Sequence, residues 1–431
     1  MVEVLTPCST ETLDADAKAF TALMTRLKEV DPTGSTVMMV QVENEVGLLG
    51  DSRDRSTLGE TAFNSLVPDV VISTLNEAIR AETLAPIMGN NIPNLATGSA
   101  LKGGLSWRET FGDGPFTDEL FMAYHYATHI SRVVSAGQQV HNLPMFTNGW
   151  LRTENSVPSS TAGGGALPGQ YPSGGPADSV IDIYQLFAPN LAFVSPDIYL
   201  VDYGAICAAY KHRHQPLFVP EHRRDEYGAL RIWEAIGEHG AIAMSPFGID
   251  TLDPATSVWT KHYGLLRKAE VALLAAWERG ARVTGFYFDR VPAGQKDTAE
   301  PRTVVMGHWA LQIQRAQVFG APEPGFGIVI QETDDSFLLV GEGYMVSFRS
   351  IDPRADFTGI LSLDELDVVN DGSGTMKKVR RLNGDEIKSG QAAVMPVMGS
   401  GPDYGDFPIP ITIPGETGLA RCMVYRILGQ S

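Results

Sequence analysis

Cysteine is scarce in this chain, and the few cysteines present cannot form a disulfide framework. The three residues, Cys8, Cys207 and Cys422, are widely spaced and odd in number, and none belongs to a C-x-x-C pattern. This spacing excludes a small disulfide-stapled fold and a cysteine-based zinc site. The core must therefore come from ordinary apolar packing, for which a hydrophobic fraction of 43% is ample.

Long apolar runs and excess positive charge are also lacking. No apolar run approaches the ~18 residues that a membrane span requires. The first residues, 1–7, have neither the basic region nor the apolar stretch of a secretion signal, and the compartment stays open. The formal net charge of −18 argues against nucleic acid or an anionic membrane as the main partner. A neutral sugar suits such a surface, although an acidic soluble surface alone explains the charge.

The first part of the chain alternates short apolar runs with helical patterns. Such alternation favours an α/β fold with parallel strands. The Gly/Ser/Pro-rich stretch 157–176 predicts a long mobile loop over one face of this domain. The predicted strands are Ser35–Val40, Leu143–Thr147, Leu191–Ser195, Pro216–Val219 and Ala241–Met244.

From about residue 282 the pattern changes to short strands separated by turn clusters. Examples are Gly327–Gln331, Ser336–Val340 and Tyr344–Phe348. This texture predicts an antiparallel β-sandwich. The length then divides into an α/β domain over 1–281 and a β-sandwich domain over 282–431.

Two glutamates follow predicted strands and suggest a catalytic pair. Gln41-Val42-Glu43-Asn44-Glu45-Val46-Gly47 comes after the first apolar run, and Glu221 follows the fourth. Acids at a buried strand end are costly unless a site uses them, and C-terminal strand ends face the active site in a parallel barrel. One such glutamate alone is more often structural. Two of them, one preceded by an asparagine, favour glycoside hydrolysis by paired carboxyl groups.

The peptide 41–47 resembles the acid/base motif of family 35 glycoside hydrolases, which are mostly retaining β-galactosidases on a (β/α)8 TIM barrel. The resemblance implies that Glu45 is the acid/base, that Asn44 contacts the 2-hydroxyl of the sugar and that Glu221 is the nucleophile. Glu43, one strand period away, ranks lower, as a supporting neighbour. The implied partner is a β-galactoside oligosaccharide or polysaccharide, and no metal or organic cofactor is implied.

The same resemblance predicts a barrel that is incomplete at its N-terminal side. In that family the acid/base lies on the fourth strand and the nucleophile on the seventh, whereas only one helix precedes Glu45 here. We therefore expect about five barrel strands in a chain that begins inside the domain. Two alternatives stay open: a related β-glycosidase of other sugar specificity, and a non-catalytic carbohydrate-binding remnant. The oligomeric state is also open, and a homo-oligomer is possible.

Polar and aromatic residues at further strand ends are candidates for sugar contacts. Each alone more often fills a core or a loop, but together they could form the walls of a sugar subsite. These candidates are Asn148, Trp150, Asp197, Tyr199 and Phe247.

Three other features carry weaker hypotheses. Tyr171 could cover the site from the mobile loop. His125 and His129 have zinc-compatible i, i+4 spacing but lack the glutamate of an H-E-x-x-H motif, so we do not expect a metal. Arg223 and Arg224 could lower the pKa of Glu221, although a surface pair is the default interpretation.

Overall fold

The computed structural model describes residues 5–96, 98–153, 164–292, 294–316, 322–370, 372–399 and 413–429. Contacts divide the chain into two compact units, which are described separately. The first unit comprises Met1–His222 and Ile242–Ser245, and the second comprises Arg223–Ala241 and Pro246–Ser431.

The first unit contains helices and a parallel sheet. Its elements in chain order are α1 (Thr10–Val30), β1 (Val40–Gln41), α2 (Thr57–Asn64), α3 (Asp69–Arg80), α4 (Pro86–Asn91), α5 (Pro93–Ala96), α6 (Trp107–Phe111), α7 (Pro115–Val140), β2 (Met145–Trp150), α8 (Ile181–Phe187), β3 (Phe193–Ile198), α9 (Tyr203–Tyr210), β4 (Leu217–His222) and β5 (Ala241–Pro246).

The sheet has the order β1-β2-β3-β4-β5 and curls into a half barrel of parallel strands. Strand order equals chain order in this sheet. The prediction of an α/β fold with about five parallel strands is therefore confirmed for the described residues.

Strand β1 is shorter than the predicted run Ser35–Val40. The carboxylate of Asp31 accepts hydrogen bonds from the backbone N–H groups of Thr36 and Val37, both at 2.8 Å. These donors are then committed to a turn and cannot join a strand ladder. Only Val40 and Gln41 pair with β2.

Helices α1 and α7 pack closely together. Ser9 caps α1, since its Oγ accepts from Thr12 N at 3.2 Å. Phe20 of α1 lies against Gly137 of α7, where an added Cβ would sit 2.3 Å from the Phe20 ring. Within the described ranges, no helix combines the length and apolar character needed to cross a membrane.

The segment expected to form a mobile loop is packed where the structure describes it. Residues 157–163 lie outside the described residues, whereas 171–177 are all buried. Ser173 exchanges two backbone hydrogen bonds with Leu48, at 2.9 and 3.0 Å. These bonds hold the segment against the chain that follows the motif, and the prediction of a mobile loop over one face does not fit residues 171–176, which are buried.

The second unit contains two helices and two antiparallel sheets among its described residues. Its elements are α10 (Glu226–Gly237), α11 (Val258–Glu278), β6 (Val283–Phe288), β7 (Arg302–Met306), β8 (Trp309–Arg315), β9 (Gly325–Thr333), β10 (Ser336–Glu342), β11 (Tyr344–Ser350), β12 (Ala355–Asn370), β13 (Thr375–Leu382), β14 (Ala392–Met395) and β15 (Leu419–Leu428).

The two sheets of this unit form a β-sandwich. Their strand orders are β13-β12-β15-β10-β9-β6 and β14-β11-β8-β7. A single apolar core draws side chains from both sheets, including Phe286, Phe337 and Leu363 from the first and Leu311 and Tyr344 from the second. Interdigitation of two inner faces is the usual core of a sandwich, and the predicted antiparallel domain is present.

The compact units differ in extent from the predicted domains 1–281 and 282–431. Helix α10 packs directly on β6, where Gly285 lies so close to α10 that an added Cβ would be 1.9 Å from Trp233 O. The indole Nε1 of Trp233 donates to His262 Nδ1 of α11 at 2.7 Å. Both helices are therefore grouped with the β-strands.

Candidate active site

One face of the parallel sheet changes from aromatic to polar along its strands. Residues two apart on a strand share a face, so Phe146, Asn148 and Trp150 of β2 lie on one side. Phe146 stacks on Phe193 of β3, with ring centroids 5.3 Å apart. Towards the C-terminal ends, Trp150 is in register with Asp197. The polar end of this face is where the candidate residues collect.

Three carboxyl groups meet at this end of the sheet. Asp197 of β3 is in register with Glu221 of β4, and Glu45 lies in the chain after β1. One oxygen from each of these three residues lies within 4.8 Å of the others. Asp197 is 4% exposed, and the two glutamates are half-buried. The sequence-predicted pair Glu45 and Glu221 is therefore brought together, with a third acid beside it.

The surroundings of the cluster raise the pKa of Glu45. Burial raises the pKa of Glu45; a hydrogen bond with Asp197 opposes the rise, and the charge of Glu221 adds to it. Like charges this close cannot all be ionised without strong repulsion, and burial adds a further penalty for the charged form. At least one of the three groups must hold a proton or share a cation near neutral pH.

Asn148 connects the motif to the carboxyl groups. Its Oδ1 accepts from the backbone N of Glu45 at 3.1 Å, and its Nδ2 donates to Asn44 Oδ1 at 3.1 Å and to Asp197 Oδ2 at 2.7 Å. The side chain is fully buried. Gln41 Nε2 also donates to Asn44 Oδ1, at 2.9 Å. Asn148, predicted to contact sugar, thus directs its amide to protein groups, while Asn44 is exposed.

The backbone of the motif is bent sharply. Glu43 and Glu45 have φ values of 60° and 45°, in the left-handed region that costs about 1–3 kcal/mol for such residues. Gly47 has φ 136°, and an added Cβ there would lie 2.5 Å from Pro172 Cβ. The chain leaves β1 after Gln41 and turns, which aims Glu45 at the other two carboxyl groups.

This bend overturns the strand-period argument for Glu43. Partial desolvation raises the pKa of Glu43, the charge of Asp16 raises it further, and His129 lowers it. Glu43 thus interacts electrostatically with Asp16 of α1 and His129 of α7, and the strand period between Glu43 and Glu45 does not describe this bent backbone. The reason is local: period-2 alternation applies only to extended backbone.

Tyr199 contacts one of the catalytic candidates directly. Its hydroxyl donates to Glu221 Oε2 at 3.0 Å. Burial, and then the charge of Glu221, raises the pKa of Tyr199, so the hydroxyl keeps its proton and remains a donor. Trp150 is half-buried at the same end of the sheet. Phe247 belongs to the second unit, where its side chain is 59% exposed. It takes no part in the hydrogen bonds described for the carboxyl groups.

Tyr171 has a different place from the one predicted. Its side chain is fully buried, and its hydroxyl donates to Glu119 Oε1 of α7 at 2.7 Å. Ser179 Oγ donates to the same oxygen at 3.2 Å. The interpretation of Tyr171 as a cover over the site is wrong, because its polar tip is committed to a buried carboxyl group.

The two histidines with metal-compatible spacing have other partners. The ring of His125 packs 4.5 Å from that of Phe121, and burial lowers the pKa of His125 to about 4. His129 Nε2 lies 3.0 Å from Asp16 Oδ2. In the part of the chain that the structure describes, the one group of three side chains placed to share a metal ion is Glu45, Asp197 and Glu221.

The arginines that follow Glu221 form contacts within the second unit. Arg223 pairs with Asp225, and Arg224 Nη1 donates to Thr251 Oγ1 at 2.8 Å. These contacts agree with the default interpretation of a surface pair. Whether either cation influences Glu221 stays a hypothesis.

The sequence alone does not identify Asp197 as a third acid or Asn148 as a connector. A signal was present, since both lie at strand ends on the face that carries Glu221. The sequence could not supply the register that aligns Trp150, Asp197 and Glu221. Only pairing between strands far apart in the chain fixes that alignment.

Comparison with known proteins adds information about the second unit alone. Residues 259–394 match a family described as a domain of unknown function, DUF5597. No curated protein matches the chain. The matched segment runs from α11 into β14 and does not include Glu45, Asp197 or Glu221.

Proposed function

We propose that this protein is a retaining glycoside hydrolase that removes terminal β-galactosyl residues, with Glu45 as acid/base and Glu221 as nucleophile. The observation that carries the proposal is that one carboxyl oxygen of Glu45 lies within 4.8 Å of one carboxyl oxygen of Glu221. Retaining enzymes hold the two carboxyl groups at about 5–5.5 Å, whereas inverting enzymes separate them by about 6.5–9.5 Å to admit a water.

The environments of the two glutamates suit the two roles. A general acid needs a raised pKa, and burial and the charge of Glu221 raise that of Glu45. Glu221 needs to attack as a carboxylate, and the hydroxyl of Tyr199 donates to it at 3.0 Å. Such a donor orients one oxygen and leaves the other to form the covalent bond.

The reaction then has two steps. Glu45 protonates the leaving oxygen while Glu221 attacks the anomeric carbon and forms a glycosyl-enzyme ester. The ionised Glu45 next takes a proton from water, which attacks the same carbon and releases Glu221. Two displacements on opposite faces retain the anomeric configuration.

The fold and the substrate specificity are the less direct parts of the proposal. We infer that the curled sheet of β1–β5 belongs to a (β/α)8-type barrel, because its site lies at the C-terminal strand ends, where such barrels place catalysis. The preference for galactose is supported by the resemblance of peptide 41–47. Glucosides, mannosides and arabinosides are the alternatives that a substrate panel would reveal.

A second candidate function is carbohydrate binding without turnover. The observation that favours it is the five-stranded sheet of the described residues, since an eight-stranded barrel surrounds its substrate with loops from every strand. In that case the cluster would bind a glycan and release no product. Calorimetry with a galactosyl oligosaccharide, combined with product analysis, separates binding from turnover.

The deciding experiment is a panel of aryl β-glycosides with matched variants. We expect the β-galactoside to be the best substrate and Glu221→Gln to abolish hydrolysis. Glu45→Gln should lose about 10²–10⁴-fold on substrates with poor leaving groups. With an activated aryl β-galactoside, azide should attack the glycosyl-enzyme in place of water, raise turnover and give a β-galactosyl azide. Glu43→Gln is the control from the same peptide and should remain active. Unchanged hydrolysis by Glu221→Gln would refute the proposal.

A further inference from the structure

Asp197 is a buried acid whose two oxygens have unequal surroundings. Its Oδ2 accepts from Asn148 Nδ2 at 2.7 Å. Its Oδ1 is buried and has no hydrogen-bond donor among the described residues. One carboxyl oxygen each of Glu45 and Glu221 lies within 4.8 Å of an oxygen of Asp197. One oxygen of Asp197 is therefore satisfied by a donor, and the other is buried without one beside two further acids.

An ionised carboxylate fits these surroundings poorly. Both of its oxygens would be acceptors, and Oδ1 would stand unpaired beside two further acids. A proton on Oδ1 converts that oxygen into a donor, removes one negative charge from the cluster and leaves Oδ2 free to accept from Asn148. Asp197 and Glu45 interact through a side-chain hydrogen bond, and a proton on Asp197 supplies its donor.

We propose that Asp197 carries a proton on Oδ1 and donates it in a hydrogen bond to the carboxyl group of Glu45, so that Asp197 is a positioning residue for the acid/base group. This proposal rests on the proposed function for its catalytic consequence. The protonation of Asp197 itself does not depend on that function.

The groups that face Asp197 support this protonation state. These groups include Glu45, Glu221, the amide of Asn148 and the phenol of Tyr199, which donates to Glu221. The phenol of Tyr210 on α9 also faces Asp197 and donates to Pro176 O at 2.7 Å. Burial, then the charge of Glu221 and the interaction with Glu45, raises the pKa of Asp197 to about 10, and Asn148 opposes the rise. The pKa of Asp197 is thus raised mainly by burial and by the neighbouring anions.

The proposed proton remains on Asp197 throughout the reaction cycle. When Glu45 protonates the leaving oxygen, its new carboxylate accepts the O–H of Asp197. When Glu45 takes a proton from water, the Asp197 O–H continues to donate to the now neutral group. Asp197 gains and loses no proton, and its effect is to fix the orientation of Glu45 and to stabilise its ionised form.

Two substitutions of Asp197 give different expected results. Asp197→Asn is nearly isosteric with the protonated acid, since its oxygen accepts from Asn148 and its amide donates to Glu45. We expect kcat/KM within about threefold of the parent and an unchanged alkaline limb of its pH profile. Asp197→Ala removes the donor, which destabilises the Glu45 carboxylate. The alkaline limb should then move up by about 1 pH unit, the equivalent of one hydrogen bond to a charged group.

A shift of the alkaline limb of the pH profile to lower pH would overturn the proposal. If Asp197 is ionised, either substitution removes a negative charge beside Glu45, and the alkaline limb moves to lower pH in both variants. Urea unfolding of each variant establishes that the comparison is made between folded proteins. If Asp197→Ala does not fold, Asp197→Asn alone decides the question: an unchanged alkaline limb supports the proposal, and a shift to lower pH contradicts it.

Infrared spectroscopy tests the proton independently of activity. With 13C-labelled aspartate at neutral pH, we expect a carboxylic-acid C=O band that is absent from Asp197→Asn. This band should be present even if the chain hydrolyses no glycoside, so the two proposals can fail separately. Absence of the band from the parent protein would overturn the inference. So would binding of one Ca²⁺ or Zn²⁺ ion per chain that Asp197→Asn abolishes, since a cation would then replace the proton.

Discussion

Tyr199 Oη lies 3.0 Å from Glu221 Oε2 and donates a hydrogen bond to it at the end of two neighbouring strands. Tyr199 follows β3 directly, and Glu221 is the penultimate residue of β4. Asp197 of β3 is in register with Glu221, and Tyr199 lies two residues further along the same chain segment. The proposed nucleophile is thus held by the strand that also carries the third acid.

Tyr199→Phe should slow formation of the glycosyl-enzyme. Loss of a hydrogen bond to a charged group costs about 1.5–3 kcal/mol, which corresponds to about 10- to 100-fold in kcat/KM. Steady-state kinetics with an aryl β-galactoside measure the effect. Tyr425→Phe, at an exposed position on β15, is the matched control and should leave kcat/KM unchanged. Equal rates for both variants would mean that the Tyr199 bond does not assist the nucleophile.

Asn148→Ala should destabilise the protein as well as its site. The substitution leaves Asp197 Oδ2 and the backbone N of Glu45 without the partners that Asn148 supplies. Buried groups left unpaired cost about 1–3 kcal/mol, and we expect the free energy of unfolding to fall by about 2–3 kcal/mol in urea titrations. Asn64→Ala, in the exposed last turn of α2, is the control. A loss no larger than in that control would contradict the connecting role.

Glu221→Gln should lower the pKa of Glu45. The charge of Glu221 is one of the causes that raise this pKa, and a neutral amide removes the repulsion. A 13C titration of labelled glutamate carboxyl groups, with the Glu45 signal assigned from its absence in Glu45→Gln, measures the change. The Glu43→Gln variant serves as the reference. A Glu45 pKa that stays constant or rises in Glu221→Gln would show that the two groups are not coupled.

Glu119 should make the protein less stable as the pH rises. Burial raises the pKa of Glu119 from 4.5 to about 7, although hydrogen bonds from Tyr171 and Ser179 oppose the rise. Below pH 4.5 both the folded and unfolded states hold the proton, and no penalty exists. Between pH 4.5 and 7 the unfolded state releases it first, so stability falls with pH and the full cost of about 3 kcal/mol is reached above pH 7.

Glu119→Gln should reduce this pH dependence. The difference in free energy of unfolding between pH 5 and pH 8 should shrink by up to about 3 kcal/mol relative to the parent. Glu77→Gln, at an exposed position on α3, is the control and should keep the parental slope. An identical slope in both variants would indicate that Glu119 is already ionised in the folded protein.

The sequence predicted which helices and strands form better than it predicted how they pack together. Periodicity predicts the alternation of strands and helices in the first unit and several strands of the second, because local patterning determines such elements. It could not foresee that Asp31 would bind the N–H groups of Thr36 and Val37 and shorten β1. It also assigned α10 and α11 to the first domain, since nothing local shows that α10 packs on β6.

The candidate site was predictable in its principal residues and not in its connections. Glu45 and Glu221 follow strands, and parallel strand ends meet, so their proximity could be inferred. The role of Asp197 depends on a register between distant segments, and that of Asn148 depends on a bend at Glu43 and Glu45 that strand alternation does not anticipate. The prediction for Tyr171 was wrong because its glycine-rich surroundings in the sequence suggest a mobile loop. The sequence does not show that its hydroxyl is buried and bonded to Glu119.

Trapping of the covalent intermediate tests the central claim most directly. The protein is incubated with an activated 2-deoxy-2-fluoro-β-galactoside, whose fluorine slows hydrolysis of the intermediate, and is then examined by intact and peptide mass spectrometry. We expect one fluorogalactosyl group per chain, attached to Glu221, and no adduct on Glu221→Gln. Absence of an adduct on the parent protein, or attachment to Glu45 or Asp197, would contradict the account.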